Sequence, residues 1–301
     1  MREYNLLIIG AGAAGVTAAV TAARRGVTGI CIVERDECIG GVLNQCKHQG
    51  FGMGYFGEEM SGIEYANRLL EMLKTVSDKS VELKLDTMVT RITLDRHAFL
   101  SSRGSYEEIS FKKCLLATGC RETTIQSICV AGSRPDGIYT AGEAQKMLNV
   151  YGRDIGDDIV ILGTGDIGQI MAKHYLGAGK NVIAMIEHAD HIGGLERNQR
   201  EIVKKYNIPV ILNSTIVEIA GKEHISAVKI RNVNSGEESI IKCSTLITAM
   251  GLIPEQELIP MKKQLPDWLY LCGNCKYVHD IVDSVSLQAE KIATCLADEL
   301  Q

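Results

Sequence analysis

The chain has 301 residues, of which 46% are hydrophobic and 23% are charged, a composition that excludes intrinsic disorder and predicts about two globular domains. The formal net charge of −5 disfavours a nucleic-acid partner, and no apolar run approaches the ~20 residues of a membrane span. The N-terminal segment does not resemble a secretion signal, so the ten cysteines are expected to be thiols and the protein to be cytoplasmic.

A strand–glycine–helix pattern opens the chain. Residues 5–9 are a short apolar run that predicts a buried strand, and Gly10, Gly12 and Gly15 follow it in the order GxGxxG. A helical stretch rich in alanine comes next, and a second apolar strand then ends at Glu34. Alone, this motif is weak evidence for a dinucleotide site.

The same pattern returns in the second half of the chain. Residues 158–162 predict another buried strand, which leads into Gly163, Gly165 and Gly168, a helical stretch, and a strand ending at Glu187. In both copies the acid follows the first glycine at the same interval. Two incidental glycine turns are a poor explanation for this repeat.

Each part of the motif has a physical role in binding a dinucleotide. The first glycine permits a tight turn, the second lets a pyrophosphate approach the backbone, and the third allows close helix–strand packing. The N-terminus of the helix attracts phosphate, and the acid accepts hydrogen bonds from ribose hydroxyls. Two sites predict two dinucleotides, of which FAD and a nicotinamide nucleotide are the natural pair for electron transfer.

With these motifs the chain resembles the two-dinucleotide-binding-domain flavoproteins of the pyridine nucleotide–disulfide oxidoreductase superfamily. Further segments support the likeness: Gly40-Gly41, Ala117-Thr118-Gly119, Ala249-Met250-Gly251 and Cys272-Gly273-Asn274. The resemblance implies an α/β fold with two Rossmann-like three-layer ββα domains, of thioredoxin-reductase size and without a C-terminal dimerisation domain. It implies a discontinuous FAD domain, 1–119 plus 250–301, with an NAD(P) domain at 120–249.

The resemblance also assigns the binding residues. FAD would be held by Gly10, Gly12, Ala13, Ala14, Gly15, Glu34, Arg35, Gly41, Val42, Asn44, Val89, Ala117, Thr118, Gly119, Gly273 and Asn274, the last in place of the usual Asp. The nicotinamide nucleotide would be held by Gly163, Gly165, Asp166, Ile167, Gly168, Glu187 and Gly251. Glu187 would repel a 2′-phosphate, and no arginine follows it at 188–190, which favours NAD(H) over NADP(H). Asp166 is unusual beside a pyrophosphate unless its side chain points away.

Residues near the expected flavin leave alternatives open. Cys46 follows the paired glycines, and it is either a reactive thiol or a small buried side chain. The family's cysteine pairs are absent, which disfavours thioredoxin reductase; the CxxC at Cys272 and Cys275 is either redox-active or structural. His279, near the expected start of the last helix, is either a proton donor or a structural residue. No metal site is expected.

Five segments spread over the chain narrow the resemblance: residues 40–52, 134–145, 163–172, 251–255 and 272–283. They look like flavoprotein subunits found with bacterial glycerol-3-phosphate dehydrogenases, and they are similar to the nucleotide-binding part of heteromeric sarcosine, opine and proline oxidases. This likeness implies electron exchange between FAD and NAD(H) beside a larger dehydrogenase subunit or a small electron-transfer protein. The default expectation for the assembly is a homodimer, because closed dimers are the commonest oligomers. The alternatives are a peroxide, persulfide or disulfide reductase using Cys46, and a flavin-binding assembly subunit with little activity alone.

Overall fold

The computed structural model of the protein describes residues 1–76, 80–261 and 264–301. The chain forms two compact units, one comprising Met1–Arg121 with Ile253–Gln301 and the other comprising Glu122–Leu252. Among the helices of the described residues, none is both long enough and apolar enough to cross a membrane.

The N-terminal part of the chain alternates strands and helices. Its elements are β1 (Arg2–Ile9), α1 (Ala13–Arg24), β2 (Ile30–Val33), β3 (Gln49–Phe51), β4 (Met60–Ser61), α2 (Gly62–Lys74), β5 (Val81–Lys84), β6 (Thr87–Ile92), β7 (His97–Ser102), β8 (Ser105–Leu116) and β9 (Cys120–Glu122).

The rest of the chain supplies the second unit and then returns to the first. Its elements are β10 (Ala131–Gly132), β11 (Ile138–Thr140), α3 (Ala141–Asn149), β12 (Asp158–Leu162), α4 (Asp166–Gly177), β13 (Asn181–Ile186), α5 (Glu196–Asn198), β14 (Val210–Ile211), β15 (Ser214–Gly221), β16 (Ile225–Asn232), β17 (Glu238–Lys242), β18 (Thr245–Thr248), β19 (Leu252–Pro254), β20 (Leu269–Leu271) and α6 (Val282–Leu300).

The first unit is built on a mixed sheet with strand order β5-β2-β1-β8-β7-β6, and β20 also pairs with β8. Strands β5, β2, β1, β8 and β20 run parallel, whereas β6, β7 and β8 form an antiparallel meander. One core packs the parallel strands against α1, α2 and α6, and a second core lies on the meander side. Because parallel strands end at the same edge, Gly10 after β1 and Glu34 after β2 emerge together.

The second unit repeats this layered plan. Its parallel sheet has the order β11-β18-β12-β13-β14, and a four-stranded layer, β10-β15-β16-β17, packs on one face. Helices α3 and α4 bury apolar side chains on the other face. The predicted α/β class and its three layers are therefore confirmed in both units.

The last helix begins later than the sequence suggests. A 3₁₀ turn at Gly273–Cys275 and an irregular segment precede α6, which starts at Val282 rather than near His279. The backbone N–H of His279 donates to the side-chain oxygen of Asn274 over 3.0 Å, which holds this segment outside the helix. A side chain that bonds local backbone in this way competes with helix formation.

Candidate functional site

The first glycine loop joins β1 to α1 in a geometry that only glycine satisfies at two of its three positions. Gly10 has φ +102°, and a Cβ on it would lie 2.4 Å from the carbonyl oxygen of Ala117. A Cβ on Gly15 would lie 1.8 Å from the Gly10 oxygen, whereas one on Gly12 would meet nothing within 4 Å. The first and third glycines are therefore needed for packing, and the second borders open space at the N-terminus of α1.

Glu34 stands beside this loop at the end of β2. One carboxylate oxygen accepts from the Ala11 N–H over 2.7 Å, and the other accepts from the Asp36 N–H over 3.0 Å. A carboxylate offers about four acceptor positions, so two further donors fit on Glu34. The open space beside Gly12 at the N-terminus of α1, called the first cradle below, fits a pyrophosphate. The Glu34 carboxylate fits the hydroxyls of a ribose.

Other predicted contacts converge on the same loop. A Cβ on Gly41 would lie 3.5 Å from the Cα of Gly12, and a Cβ on Gly273 would lie 3.0 Å from the Ala14 side chain. The loops that carry the paired glycines and the late motif thus lie beside the N-terminus of α1.

Two polar residues predicted to contact FAD are engaged with backbone in the structure. The Asn44 amide donates to the Ile39 oxygen over 2.8 Å, and the Thr118 hydroxyl donates to the Glu255 oxygen over 2.7 Å. These two bonds fix the loop conformation. Direct contact of Asn44 and Thr118 with FAD stays a prediction.

The remaining predicted FAD contacts differ in exposure. Arg35 and Val42 are exposed, whereas Val89 is buried in the meander-side core. Gly119 adopts φ +73°, which gives the turn after β8 a conformation that glycine prefers.

Asn274 and His279 form one hydrogen-bonded group. The Asn274 side-chain oxygen accepts the His279 backbone N–H, and it lies 3.2 Å from His279 Nδ1. Because an oxygen can only accept, the neutral ring carries its proton on Nδ1. Burial lowers the pKa of His279, and the ring stacks on Tyr277 with centroids 4.3 Å apart. The neutral ring thus presents a lone pair at Nε2. Proton donation by His279 stays a prediction, and it would require the ring to be protonated although its pKa is lowered.

The cysteines singled out by the sequence are buried. Burial raises the pKa of Cys46 to about 12, and its thiol lies 3.4 Å from the Val42 oxygen as a donor. Burial, together with the neighbouring Cys275, raises the pKa of Cys272 to about 12, and the Cys275 thiol donates to the Leu116 oxygen over 2.9 Å. A buried thiol with a raised pKa is a poor nucleophile, which favours structural roles at these positions.

Asp283 was not singled out by the sequence, although it lies in the first turn of α6. It is 4% exposed, and its carboxylate accepts from the backbone N–H of Gly52 at 3.1 and 3.2 Å and of Gly54 at 3.4 Å. This bond group holds the glycine-rich segment that follows Cys46 against α6. No sequence signal announces the contact, because the partners are more than 200 residues apart.

The second glycine loop, between β12 and α4, reproduces the first. Gly163 has φ +106°, and its Cβ would lie 2.3 Å from the Ala249 oxygen. A Cβ on Gly168 would lie 2.5 Å from the Gly163 oxygen, whereas one on Gly165 would meet nothing within 4 Å. This loop therefore offers a second open cradle at a helix N-terminus.

Glu187 is held more firmly than Glu34. One oxygen accepts from both the N–H and the hydroxyl of Thr164, at 2.9 and 2.6 Å, and the other accepts from the Ala189 N–H at 3.0 Å. Burial alone raises the pKa of Glu187, but these hydrogen bonds and one from the His188 backbone outweigh it and lower the pKa. The carboxylate is thus ionised at neutral pH.

The other residues assigned to the second site lie around this loop. Asp166 accepts at one side-chain oxygen from the Leu195 N–H over 2.8 Å, so its side chain binds protein backbone. Ile167 packs at the margin of the helix-side core, and Gly251, with φ +99°, accepts from the Thr123 N–H over 2.9 Å.

The segment Ile192–Leu195 also borders the second cradle and was missed by the sequence reasoning. A Cβ on Gly193 would lie 3.6 Å from the Gly165 nitrogen. A signal for it exists, because Ile-Gly-Gly begins five residues after the acid in both copies, at Ile39 and at Ile192.

Comparison with known proteins places these features in a family. The family model described as pyridine nucleotide-disulphide oxidoreductase matches residues 4–266. A ferredoxin–NADP reductase of Picrophilus torridus is 23% identical in an alignment of 256 residues that covers 83% of this chain and 74% of the relative.

Two solved structures share the fold. The thioredoxin reductase of T. acidophilum superposes with a TM-score of 0.79 at 21% identity, covering 99% of each chain. The L-proline dehydrogenase of P. horikoshii superposes with a TM-score of 0.64 at 15% identity, covering 99% of this chain and 55% of that one. The thioredoxin-reductase size expected from the sequence is thereby confirmed.

The family match spans most of the chain, and both glycine loops keep the open geometry that dinucleotides need. The protein is therefore an oxidoreductase that uses FAD and a pyridine nucleotide, and the chain belongs to the pyridine nucleotide-disulphide oxidoreductase family.

Proposed function

We propose that the protein passes hydride between NAD(H) and a bound FAD, with FAD in the first unit and the nicotinamide nucleotide in the second. The observation that carries this proposal is the equivalence of the two loops. In each, a Cβ on the middle glycine meets nothing within 4 Å, whereas one on either outer glycine collides with backbone.

The chain's own groups bind and orient the two dinucleotides. The N–H groups at the starts of α1 and α4 lack intrahelical acceptors, so they are available to pyrophosphate oxygens. Glu34 and Glu187 would accept from ribose hydroxyls. FAD, when bound, supplies the hydride-accepting ring, and the protein's contribution is to position the rings and tune their electrostatics.

The preference for NADH over NADPH rests on Glu187. Its hydrogen bonds lower its pKa and keep it negative, so a 2′-phosphate placed there would meet a like charge. The following residues, His188, Ala189 and Asp190, provide no arginine fork to bind such a phosphate.

Anaerobic reduction tests the hydride step. The flavin-loaded protein is titrated with NADH and, separately, with NADPH, and bleaching of the yellow oxidised-flavin band is followed in a stopped-flow spectrometer. We expect NADH to bleach the flavin faster and at lower concentration. The absence of bleaching by either nucleotide would refute the proposal.

Electron exchange with a partner protein is a second element of the proposed function. The resemblance to subunits of glycerol-3-phosphate and sarcosine-type dehydrogenases suggests a larger dehydrogenase as electron donor or acceptor, and the relative from P. torridus is named a ferredoxin reductase. Affinity purification from the native host, followed by flavin reduction with the partner's substrate, separates an electron-transferring complex from an enzyme that acts alone. The same assay covers the alternative of an assembly subunit whose flavin is slow without its partner.

Thiol-dependent reduction at Cys46 is the second candidate. It is favoured by the position of Cys46 in the loop that follows Gly41 and opposed by the raised pKa of the buried thiol. Replacing Cys46 by Ser would abolish turnover with peroxide, persulfide or disulfide acceptors but leave NADH-to-dye transfer intact. Equal activity with every acceptor would assign Cys46 to packing.

A further inference from the structure

The two glycine loops differ in polarity at three equivalent positions. These positions are Ala11, Ala13 and Val16 in the first copy and Thr164, Asp166 and Gln169 in the second. All three polar side chains bind a single stretch of chain, which begins with the Ile192–Leu195 segment. The three equivalent residues of the first loop have no polar side-chain atoms, so these hydrogen bonds exist in the second loop alone.

Thr164 binds the backbone N–H of Gly193, and Gln169 binds its carbonyl oxygen. The Thr164 hydroxyl accepts from the Gly193 N–H over 2.8 Å while it donates to Glu187. The Gln169 amide donates to the Gly193 oxygen over 2.8 Å and to the Thr164 oxygen over 2.7 Å. Gln169 is fully buried, so these bonds are shielded from water.

Asp166 fastens the far end of the segment. One carboxylate oxygen accepts from the Leu195 N–H over 2.8 Å and from the Asn198 amide over 2.7 Å. A carboxylate in the first turn of α4 is stabilised by the helix dipole, but beside a pyrophosphate it would also repel the ligand. Its hydrogen bonds direct it to the segment instead.

In the first copy the corresponding contact involves backbone alone. The Gly40 N–H donates to the Ala11 oxygen over 2.8 Å, and Ala11 and Ala13 have no side-chain polar atoms to add. In the second copy the space next to Gly165 stays open although the segment is fastened beside it. The additional hydrogen bonds therefore hold the segment at the edge of the second cradle and leave the space beside Gly165 open.

We propose that Thr164, Asp166 and Gln169 form a latch that holds Ile192–Leu195 against the second cradle and so sets its affinity for the nicotinamide nucleotide. The inference rests on the proposed function, since it deepens the role of that site. A segment ordered before binding does not have to be ordered by the ligand, so the latch strengthens binding by preorganisation. Asp166 is on this account a positioning residue.

The test compares Asp166→Ala, which installs the residue of the first copy, with Asp166→Asn, which keeps the acceptor oxygen but removes the charge. Binding of NAD⁺ to the oxidised, flavin-loaded protein is measured by calorimetric titration. The latch predicts that Asp166→Ala raises Kd by about tenfold or more, whereas Asp166→Asn recovers most of the affinity. If removal of charge were decisive, both variants would bind more tightly, and the proposal would be overturned.

A matched control and a second readout separate the latch from general effects. Asp190→Ala removes an exposed carboxylate from the same loop, whose partner is His191 rather than the segment, and it should leave Kd unchanged. Hydrogen exchange of residues 190–198, measured without nucleotide, should be faster in Asp166→Ala and in Thr164→Ala but not in Thr164→Ser. Unchanged exchange in both alanine variants would overturn the latch.

Failure of the latch and failure of the proposed function give different results. If the unmodified protein binds neither NAD⁺ nor NADP⁺, the proposed function fails. If it binds NAD⁺ and Asp166→Ala binds with the same affinity, the latch alone is wrong. Flavin content per chain shows whether each variant is loaded, and thermal unfolding shows whether it is folded.

Discussion

Replacing Gly165 by Ala is the sharpest test of where the nicotinamide nucleotide binds. The added Cβ would meet nothing within 4 Å, and the backbone at this position, φ −61° and ψ 171°, is one that alanine adopts freely. The change costs at most about 1 kcal/mol through the weaker N-cap preference of alanine. The methyl group nevertheless occupies the space through which a pyrophosphate would approach α4.

The expected loss of affinity follows from the hydrogen bonds that the methyl group prevents. A hydrogen bond from backbone N–H to a charged oxygen contributes roughly 1.5–3 kcal/mol. Loss of two such bonds weakens binding by about 3–6 kcal/mol, which corresponds to a rise in Kd of about 10²- to 10⁴-fold. Flavin content should stay unchanged, since we propose that FAD binds at the other loop, at Gly10, Gly12 and Gly15.

Calorimetric titration of the flavin-loaded variant with NAD⁺ measures this effect, and thermal unfolding measures its cost. The matched control is Gly168→Ala, whose Cβ would lie 2.5 Å from the Gly163 oxygen. That variant should lose stability by about 1–3 kcal/mol or more through overpacking. If Gly165→Ala bound NAD⁺ as the unmodified protein does, the pyrophosphate would not lie at Gly165 and our reading of the second cradle would be wrong.

Glu187, Asp283 and Cys46 can each be tested by one substitution or modification. Because the pKa of Glu187 is lowered on folding, its contribution to stability is present above the ordinary value of 4.5 and is lost as the pH falls below that value. In thermal unfolding, Glu187→Gln should therefore reduce the fall of Tm with decreasing pH in this range. Asp283→Ala leaves buried N–H groups of loop 52–54 without their acceptor, at about 1–3 kcal/mol each, so Tm should fall by about 5 °C or more, and an unchanged Tm would contradict the role assigned to this carboxylate. With its pKa raised to about 12, Cys46 should react with iodoacetamide at pH 8 far more slowly than the exposed Cys295, as peptide mass spectrometry would show; equal rates would contradict its burial.

Local sequence patterns predict the repeated strand–glycine–helix–strand units and the α/β class. These features are local, because a GxGxxG turn and an acid at the end of the next strand are specified within about thirty residues by backbone sterics and apolar periodicity. The motifs at Gly10 and Gly163 therefore indicated both loops before any tertiary contact was known. A further local signal, the repeated Ile-Gly-Gly, was also present in the sequence and marks the segment that Asp166 fastens.

The roles of the individual polar side chains depend on tertiary contacts that no local pattern specifies. By sequence, Asp166 would repel a pyrophosphate, yet in the structure its carboxylate binds the Leu195 N–H. Asp283 has no distinguishing sequence feature, and only its contact with the Gly52 N–H reveals its role. The burial that raises the pKa of Cys46 likewise depends on tertiary packing, since a Cβ on Gly62 would lie 2.5 Å from the Cys46 Cβ. Hydrogen-bond partners and solvent exclusion are set by the packing of distant segments, and neither is encoded in the spacing of nearby residues.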